Sequence, residues 1–330
     1  MPPIQEDGLS LDDAVARAIA REPSLRAAQA EIAIALGERR QASLRPNPTV
    51  TLERRDEPGG SDSTTTIGVV WPLDLFRRSP RVESAEHDVA AARFAAADHE
   101  RLLVAEVRTS YGAAVAALRE VAIADELAAS VARQVGLLRA RAEAGAARPL
   151  DRDLLEVELG RLRAERVRAA SRADAATVML KRQLGMDPGD PLTLRDPLEA
   201  LVNAAVTPDS ATISTGLPGG RPDVEEAEAR IAAAEARAEQ ARSEGRFDVS
   251  VVAGYMRMNS GFPQLGFEPG GALARVQGGF NYLSAGAMIS VPLFDRNQGR
   301  IESAQAEQAR ARAARDAAVL AATTDAAIAG

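Results

Sequence analysis

The sequence predicts a mainly α-helical, internally duplicated chain. Long antiparallel coiled-coil hairpins are joined to four short strands, which form a 12-stranded barrel only if three copies combine. Three observations lead there. A helix–strand–loop–strand–helix order occurs twice. The helical stretches are too long and too poor in proline for a compact globule. The strands alternate apolar and small or polar residues over about ten positions. Four strands cannot close a barrel, since about eight is the smallest number that does, and open edges invite pairing with another chain.

The duplication shows first in the helices. At an offset of 199, Pro23, Ala28, Ala30, Ile32, Gln41 and Ala42 meet Pro222, Ala227, Ala229, Ile231, Gln240 and Ala241. Further along the offset grows to 219 or 220, where Pro72 meets Pro292 and RVESAE from Arg81 meets RIESAQ from Arg300. Internal repeats of this size define the architecture. The first runs over residues 1–218, with strands at 47–55 and 64–73, a helical hairpin at 81–184 and a linker. The second covers 219–330, with a helix at 221–244, strands at 247–258 and 281–292, and a long helix at 298–330. The extra residues of the second repeat fall in the polar, glycine-rich stretch 259–281, which reads as a surface loop.

Each strand has one apolar face. Val50 and Leu52 alternate with polar residues, as do Ile67, Val69 and Trp71, and then Val249, Val251, Ala253 and Tyr255. The fourth strand aligns Leu283, Ala285, Ala287, Ile289 and Val291. The opposite faces carry Thr66, Gly68, Ser250, Gly254, Ser284, Gly286 and Ser290. A barrel with lipid outside and water inside needs this pattern, and it assigns Leu283, Ala285, Ile289 and Val291 to lipid. A hairpin packed on a helical core would show the same alternation.

In the first hairpin, Val104, Val107, Tyr111, Ala114, Leu118 and Val121 keep a 3-4 spacing. It resumes at Ala124, Ala128, Val131, Val135, Leu138 and Ala142. Such a seam supports a coiled coil. Gly145 suits a helix C-cap and Pro149 a first turn. A second seam follows through Leu155, Leu159, Leu162, Ala169, Ala173, Ala176 and Leu180, with Arg166 as its polar interruption. Two long helices joined by a tight turn lie antiparallel. The stretch 201–220, rich in Pro, Gly, Ser and Thr, reads as a linker.

Several chemistries are disfavoured. The chain has no cysteine, so it offers neither disulfide nor thiolate ligand. Net charge is −7 and the pI near 5.2, which argues against nucleic acid. Aromatic residues make up 3%, too few for a thick core. His87 and His99 stand 12 positions apart, about 18 Å along a helix, so they cannot share a metal and read as solvated. Met256 and Met258 read as packing, and Asp151 and Asp153 as compensation of a helix dipole. No catalytic or phosphate-binding signature occurs; neither enzyme activity nor a cofactor is expected.

The stretches LSLDDAVARAIAREPSLRAAQAEIA, ASLRPNPTVTLE, EAGAARPLDRDLLEVELGRLRAE, RPDVEEAEARIAAAEARAEQAR and SVPLFDRNQGRIESAQAE resemble successive signatures of the TolC-type outer membrane efflux proteins. The wording PLFDRNQG is most similar to the branch serving heavy-metal pumps of the resistance-nodulation-division class. The resemblance implies a homotrimer with a barrel in the outer membrane of a Gram-negative bacterium and a helical tunnel in the periplasm. It implies passive conduction, an inner-membrane pump and a periplasmic adaptor (membrane fusion) protein. The adaptor would meet the hairpin tip at Gly145, Ala146, Ala147, Arg148, Pro149, Leu150 and Asp151. A periplasmic coiled-coil adaptor or scaffold is the alternative; it explains the rods but not the paired strands. Against the family pattern, no signal peptide is expected, and the second rod reads as truncated, without equivalents of residues 112–184.

Overall fold

The structure, a computed structural model, describes residues 4–60, 62–206, 220–267 and 270–329. In chain order the elements are β1 (Ile4–Leu9), α1 (Leu11–Arg21), α2 (Pro23–Ser43), β2 (Thr49–Asp56), β3 (Ser63–Pro72), α3 (Arg78–Glu143), α4 (Pro149–Gln183), α5 (Leu198–Val206), α6 (Pro222–Glu244), β4 (Asp248–Phe267), β5 (Leu273–Ser290) and α7 (Gln298–Ala329). The fold is mainly helical with one small antiparallel sheet, of order β2-β3-β4-β5. At 66 residues, α3 is about 100 Å long at 1.5 Å per residue.

Two compact units divide the chain, one made of residues 1–32 and 93–223, the other of 33–92 and 224–330. In the first, Val107, Tyr111 and Ala114 of α3 and Leu180 of α4 are fully buried, together with Ala14, Ala18 and Leu25 of α1 and α2. The coiled-coil seam and the core of this unit are therefore one surface. Val115, also fully buried, lies off the seam and serves the same core. Arg166 interrupts the seam at little cost, because its Nε donates to Asp125 on α3 at 2.8 Å.

Tyr111 does more than fill the seam. Its hydroxyl donates to the carbonyl of Leu9 at 2.8 Å and lies 3.1 Å from the Asp196 carboxylate, which accepts from Leu11 N–H at 2.7 Å. Leu9 pairs in parallel with Leu194. One buried phenol thus ties the segment before α1 and the segment after α4 onto the same core. Burial, with the nearby Asp196 carboxylate opposing ionisation, pushes the phenol up to about 12.

Capping sets the helix starts. Ser10 Oγ accepts from Asp13 N–H at 3.1 Å and donates to the Asp13 carboxylate at 2.6 Å, a reciprocal cap. That hydroxyl holds the Asp13 carboxyl below the usual range. α1 and α2 break at Glu22, which is extended, while Pro23 opens α2 and the Glu22 carboxylate accepts from Leu25 N–H at 2.7 Å. Proline suits a first helical position and not an interior one.

Two expectations change. The stretch 259–281 is not a surface loop: β4 and β5 continue through it, pairing Gln264 with Val276 and Phe267 with Leu273 past a bulge between Ser260 and Gln264. Its backbone groups are satisfied by the ladder rather than by water, so its polar composition does not prevent strand formation. The first part of the stretch read as a linker, 201–206, also changes: it belongs to α5 (Leu198–Val206), because LEALVNAAV is apolar and helix-favouring. Residues 207–219 of that linker lie outside the described residues.

Candidate functional surfaces

The sheet belongs to the second unit. Its register sets Val50, Val69, Ala253 and Ala285 in one row and Leu52, Ile67, Tyr255 and Leu283 in the next. Toward the helices come Trp71, Val251 and Ala287, then Val249 and Ile289. All four strands therefore line one face with apolar residues. Leu283 is 87% exposed, Ile289 58% and Val291 60%; Ala285 is exposed as well. Five rows, counting the one that Val291 begins, span about 27 Å at about 3.4 Å per residue. That fits an apolar band of about 25 Å. Nothing among the described residues covers it.

The other face of β3 and β4 is the more enclosed one. Thr66, Gly68, Val70, Val252, Gly254, Met256 and Met258 are half-buried, where their odd-numbered neighbours Ile67, Val69, Trp71, Val251 and Tyr255 are exposed. Small residues here follow from crowding. A Cβ on Gly68 would lie 2.6 Å from Thr51 Oγ1, and one on Gly254 would lie 2.9 Å from Ser284 Oγ. This face is less uniformly small and polar than its alternation suggests. Met256 stands opposite Tyr282 and Met258 opposite Phe280 in the register, aromatic neighbours of the kind that suit a thioether.

Where strands meet helices, the two repeats use different side chains for one task. Arg81 of α3 donates from Nε to the Ala42 carbonyl at 3.0 Å and from Nη2 to Asp74 at 2.9 Å. Asn297, just before α7, donates to the Ala241 carbonyl at 2.8 Å. Ala42 and Ala241 are the repeat-related ends of α2 and α6. Asp74 and Asn297 both adopt left-handed backbone, at φ 51° and 65°. Each repeat thus needs a sharp reversal from strand into long helix, and each anchors it on the preceding helix's last carbonyls. That is why a Pro-Leu transition from strand to helix occurs twice in the sequence, at Pro72 and at Pro292.

Beside these junctions lie two cavities of about 560 and 490 Å³. The smaller is lined in pairs: Ala42 with Ala241, Ser84 with Ser303, Ala85 with Ala304. Each pair keeps the repeat offset. Arg81, Glu244 and Arg300 border both spaces. Among the described residues no group of three or more His, Asp or Glu could hold a metal ion.

The hairpin tip belongs to the first unit. Gly145 has φ 73°, Gly145 N–H donates to the Ala142 carbonyl at 3.0 Å and Ala146 N–H to that of Arg141 at 2.7 Å. This is a Schellman cap. Arg148 is the N-cap of α4 without a side-chain bond, and Pro149 follows at the first turn with Asp151. Gly145, Ala146, Arg148, Pro149, Leu150 and Asp151 are exposed and Ala147 is half-buried. Leu150, Leu154 and Val157 add an exposed apolar stripe on α4, at 62%, 61% and 73%. Leu154 and Val157 lie off the coiled-coil seam and extend the stripe beyond the tip residues the sequence predicts. Arg139 and Glu156 join the two helices just behind, at 2.7 Å.

His99 is less free than a solvated residue. Its Nε2 lies 2.7 Å from Ser24 Oγ, which donates to Glu22, so it links α3 to the start of α2. Burial raises the Glu22 carboxyl, but the hydrogen bonds from Ser24 and Leu25 outweigh it and hold the group below the usual range. The order Glu–Ser–His leaves the hydroxyl between two partners rather than activated by a base, unlike a nucleophilic triad.

No helix among the described residues is long and apolar enough to cross a membrane, which says nothing about strands. No curated protein matches the chain in sequence. Among solved structures, a membrane protein from Pseudomonas aeruginosa shares 24% identity and a TM-score of 0.71, over 94% of this chain and 74% of that one. CusC, described in connection with folding and transmembrane channel formation, gives 19% and 0.70 over 96% and 74%. The open state of the MtrE outer membrane channel of Neisseria gonorrhoeae gives 20% and 0.70 over 96% and 71%. These likenesses concern the fold. The family model described as outer membrane efflux protein matches residues 14–186 and 218–329, thus both repeats and every element from α2 to α7 apart from the 198–206 helix. With both repeats matched and the same fold in the solved structures, the chain belongs to the outer membrane efflux protein family.

Proposed function

We propose that the chain is one subunit of an outer-membrane channel, in which three copies pair β2 of one with β5 of the next to close a 12-stranded barrel. The observation that carries this reading is the sheet: four strands, one face with an apolar band about as tall as a bilayer's hydrocarbon layer, and two outer edges with no partner among the described residues. In water such a face and such edges would aggregate. In lipid the apolar face is what a spanning sheet requires, and pairing the edges between copies satisfies their backbone groups.

On this reading Leu283, Ala285, Ile289 and Val291 face lipid, and Ser284, Gly286 and Ser290 face the pore. The two sequence repeats, 1–218 and 219–330, each supply half of the strands. The helices lie in the periplasm of a Gram-negative cell. An adaptor protein docks at Gly145–Asp151, and an inner-membrane pump of the resistance-nodulation-division class supplies the energy for export. The cargo is a heavy-metal cation, a choice supported by the PLFDRNQG wording. Conduction itself is passive. Detergent extraction followed by native mass measurement and planar-bilayer recording tests this: a trimer with stable single-channel steps is expected. A water-soluble monomer or dimer without conductance would overturn it in favour of a coiled-coil scaffold.

A further inference from the structure

On the apolar face, the row Leu52–Ile67–Tyr255–Leu283 is followed, away from the helices, by Arg54–Thr65–Arg257–Asn281. The change from apolar to basic happens within two residues, about 7 Å along the strand. The hydroxyl of Tyr255 donates across this boundary to Asn281 Oδ1 at 2.7 Å, as an aromatic residue at a membrane interface does. Arg54 and Arg257 are two strands apart, about 10 Å, on the same face. Their charges are unequal. Arg54 holds Asp56 of the next row through two bonds, at 2.8 and 2.9 Å, whereas Arg257 is exposed and has no ion pair among the described residues.

We propose that this row is a binding site for the phosphate of an anionic lipid headgroup, with Arg257 as its principal ligand and Arg54 as a weaker second one. The inference rests on the barrel reading, which puts the Leu52–Leu283 rows against acyl chains and this row at headgroup depth. A guanidinium presents a planar fork that matches two phosphate oxygens. The surface is an open sheet face, so a free anion would gain only one or two solvated contacts. A lipid adds its chains on the apolar rows below, which is why the occupant is a lipid. Asp56 sets the ranking: it compensates Arg54 and repels phosphate, so Arg257 contributes most.

The trimer in detergent is titrated with phosphorylated lipid A and with its dephosphorylated form, and bound lipid is read by native mass spectrometry. The phosphorylated form should bind more tightly. Arg257→Gln should weaken it about fivefold, the contribution of one arginine near an anionic surface, and Arg257→Lys should restore part of the loss. Arg54→Gln should have a smaller effect, and Asp56→Asn should strengthen binding. Equal binding of the two lipid forms, or of Arg257→Gln and the unchanged protein, overturns the proposal. So does displacement of lipid A by inorganic phosphate, which would mark a free-anion site. Trimer mass and protease resistance in vesicles are measured on the same samples. Loss of lipid selection with insertion intact sinks this inference alone, and failure to insert sinks the barrel reading with it.

Discussion

Two glycines end helices of the same rod in the same left-handed conformation, and alanine should cost them different amounts. Gly145 has φ 73° and Gly185 φ 61°. Both make the same pair of cap bonds, Gly185 N–H to the Arg182 carbonyl and Met186 N–H to that of Lys181. A Cβ at 145 would meet nothing within 4 Å, so alanine there bears only the backbone penalty, about 1 kcal/mol. At 185 the same Cβ would stand 2.9 Å from the Arg21 carbonyl oxygen and 3.2 Å from its carbon. Those are backbone atoms at the end of α1 and cannot rotate away. Overpacking adds about 1–3 kcal/mol, for a total near 2–4. Thermal and denaturant unfolding of the two variants in detergent, followed by circular dichroism, measures the difference. Adaptor capture run in parallel should fall for Gly145→Val, whose tip is distorted while its core is intact, and stay unchanged for Gly185→Ala in the folded fraction. Equal destabilisation at both sites would refute the claim that contact with α1 decides the cost.

Tyr111→Phe should lower stability by about 1 kcal/mol, because the Leu9 carbonyl loses one of its two donors and keeps Arg195 N–H at 3.0 Å; chemical denaturation checks it. The raised phenol also sets a sign. Its neutral form is favoured by folding, so this contribution holds below pH 10 and fades as the pH rises toward about 12; unfolding curves of Tyr111→Phe should lack that alkaline decline. Single cysteines at Leu283 and Ile289 should be quenched by lipid-soluble reagents, and those at Ser284 and Ser290 should react with a water-soluble maleimide; equal labelling of both sets would remove the barrel assignment. Arg166→Ala should change stability by no more than about 1 kcal/mol, since its pair with Asp125 is about half exposed on both sides, and thermal unfolding reads this directly.

What the sequence revealed and what it hid follow one physical division. Period-2 and 3-4 patterns reported the main strand face and the hairpin seam, surfaces that bury or expose apolar residues along a single element. Val107, Tyr111 and Ala114 were therefore readable, as was the face carrying Leu283. The extension of β4 and β5 through 259–281 was not, because a polar glycine-rich strand is held by its partner's backbone and leaves no hydrophobic trace. Nor was the role of the Tyr111 hydroxyl, whose partners at Leu9 and Asp196 are 102 and 85 residues away in the chain. His99 shows the same limit: Ser24 lies 75 positions off. Long-range polar contacts leave no local period to detect. The tip turn was readable from Gly145 and Pro149, since both residues act on their own backbone.

The cavity lined by Ala42 with Ala241, Ser84 with Ser303 and Ala85 with Ala304 has a consequence for how this protein can change. Twin positions that began as copies now look into one shared volume, so neither is free to drift alone. Enlarging Ala42 would take up space that an enlarged Ala241 also needs. Each change could be tolerated singly and the two together rejected, so that the double substitution would cost more than the sum of its parts. A duplicated chain is thereby constrained by its own duplication: the history of one half limits the substitutions open to the other, although some two hundred residues separate them.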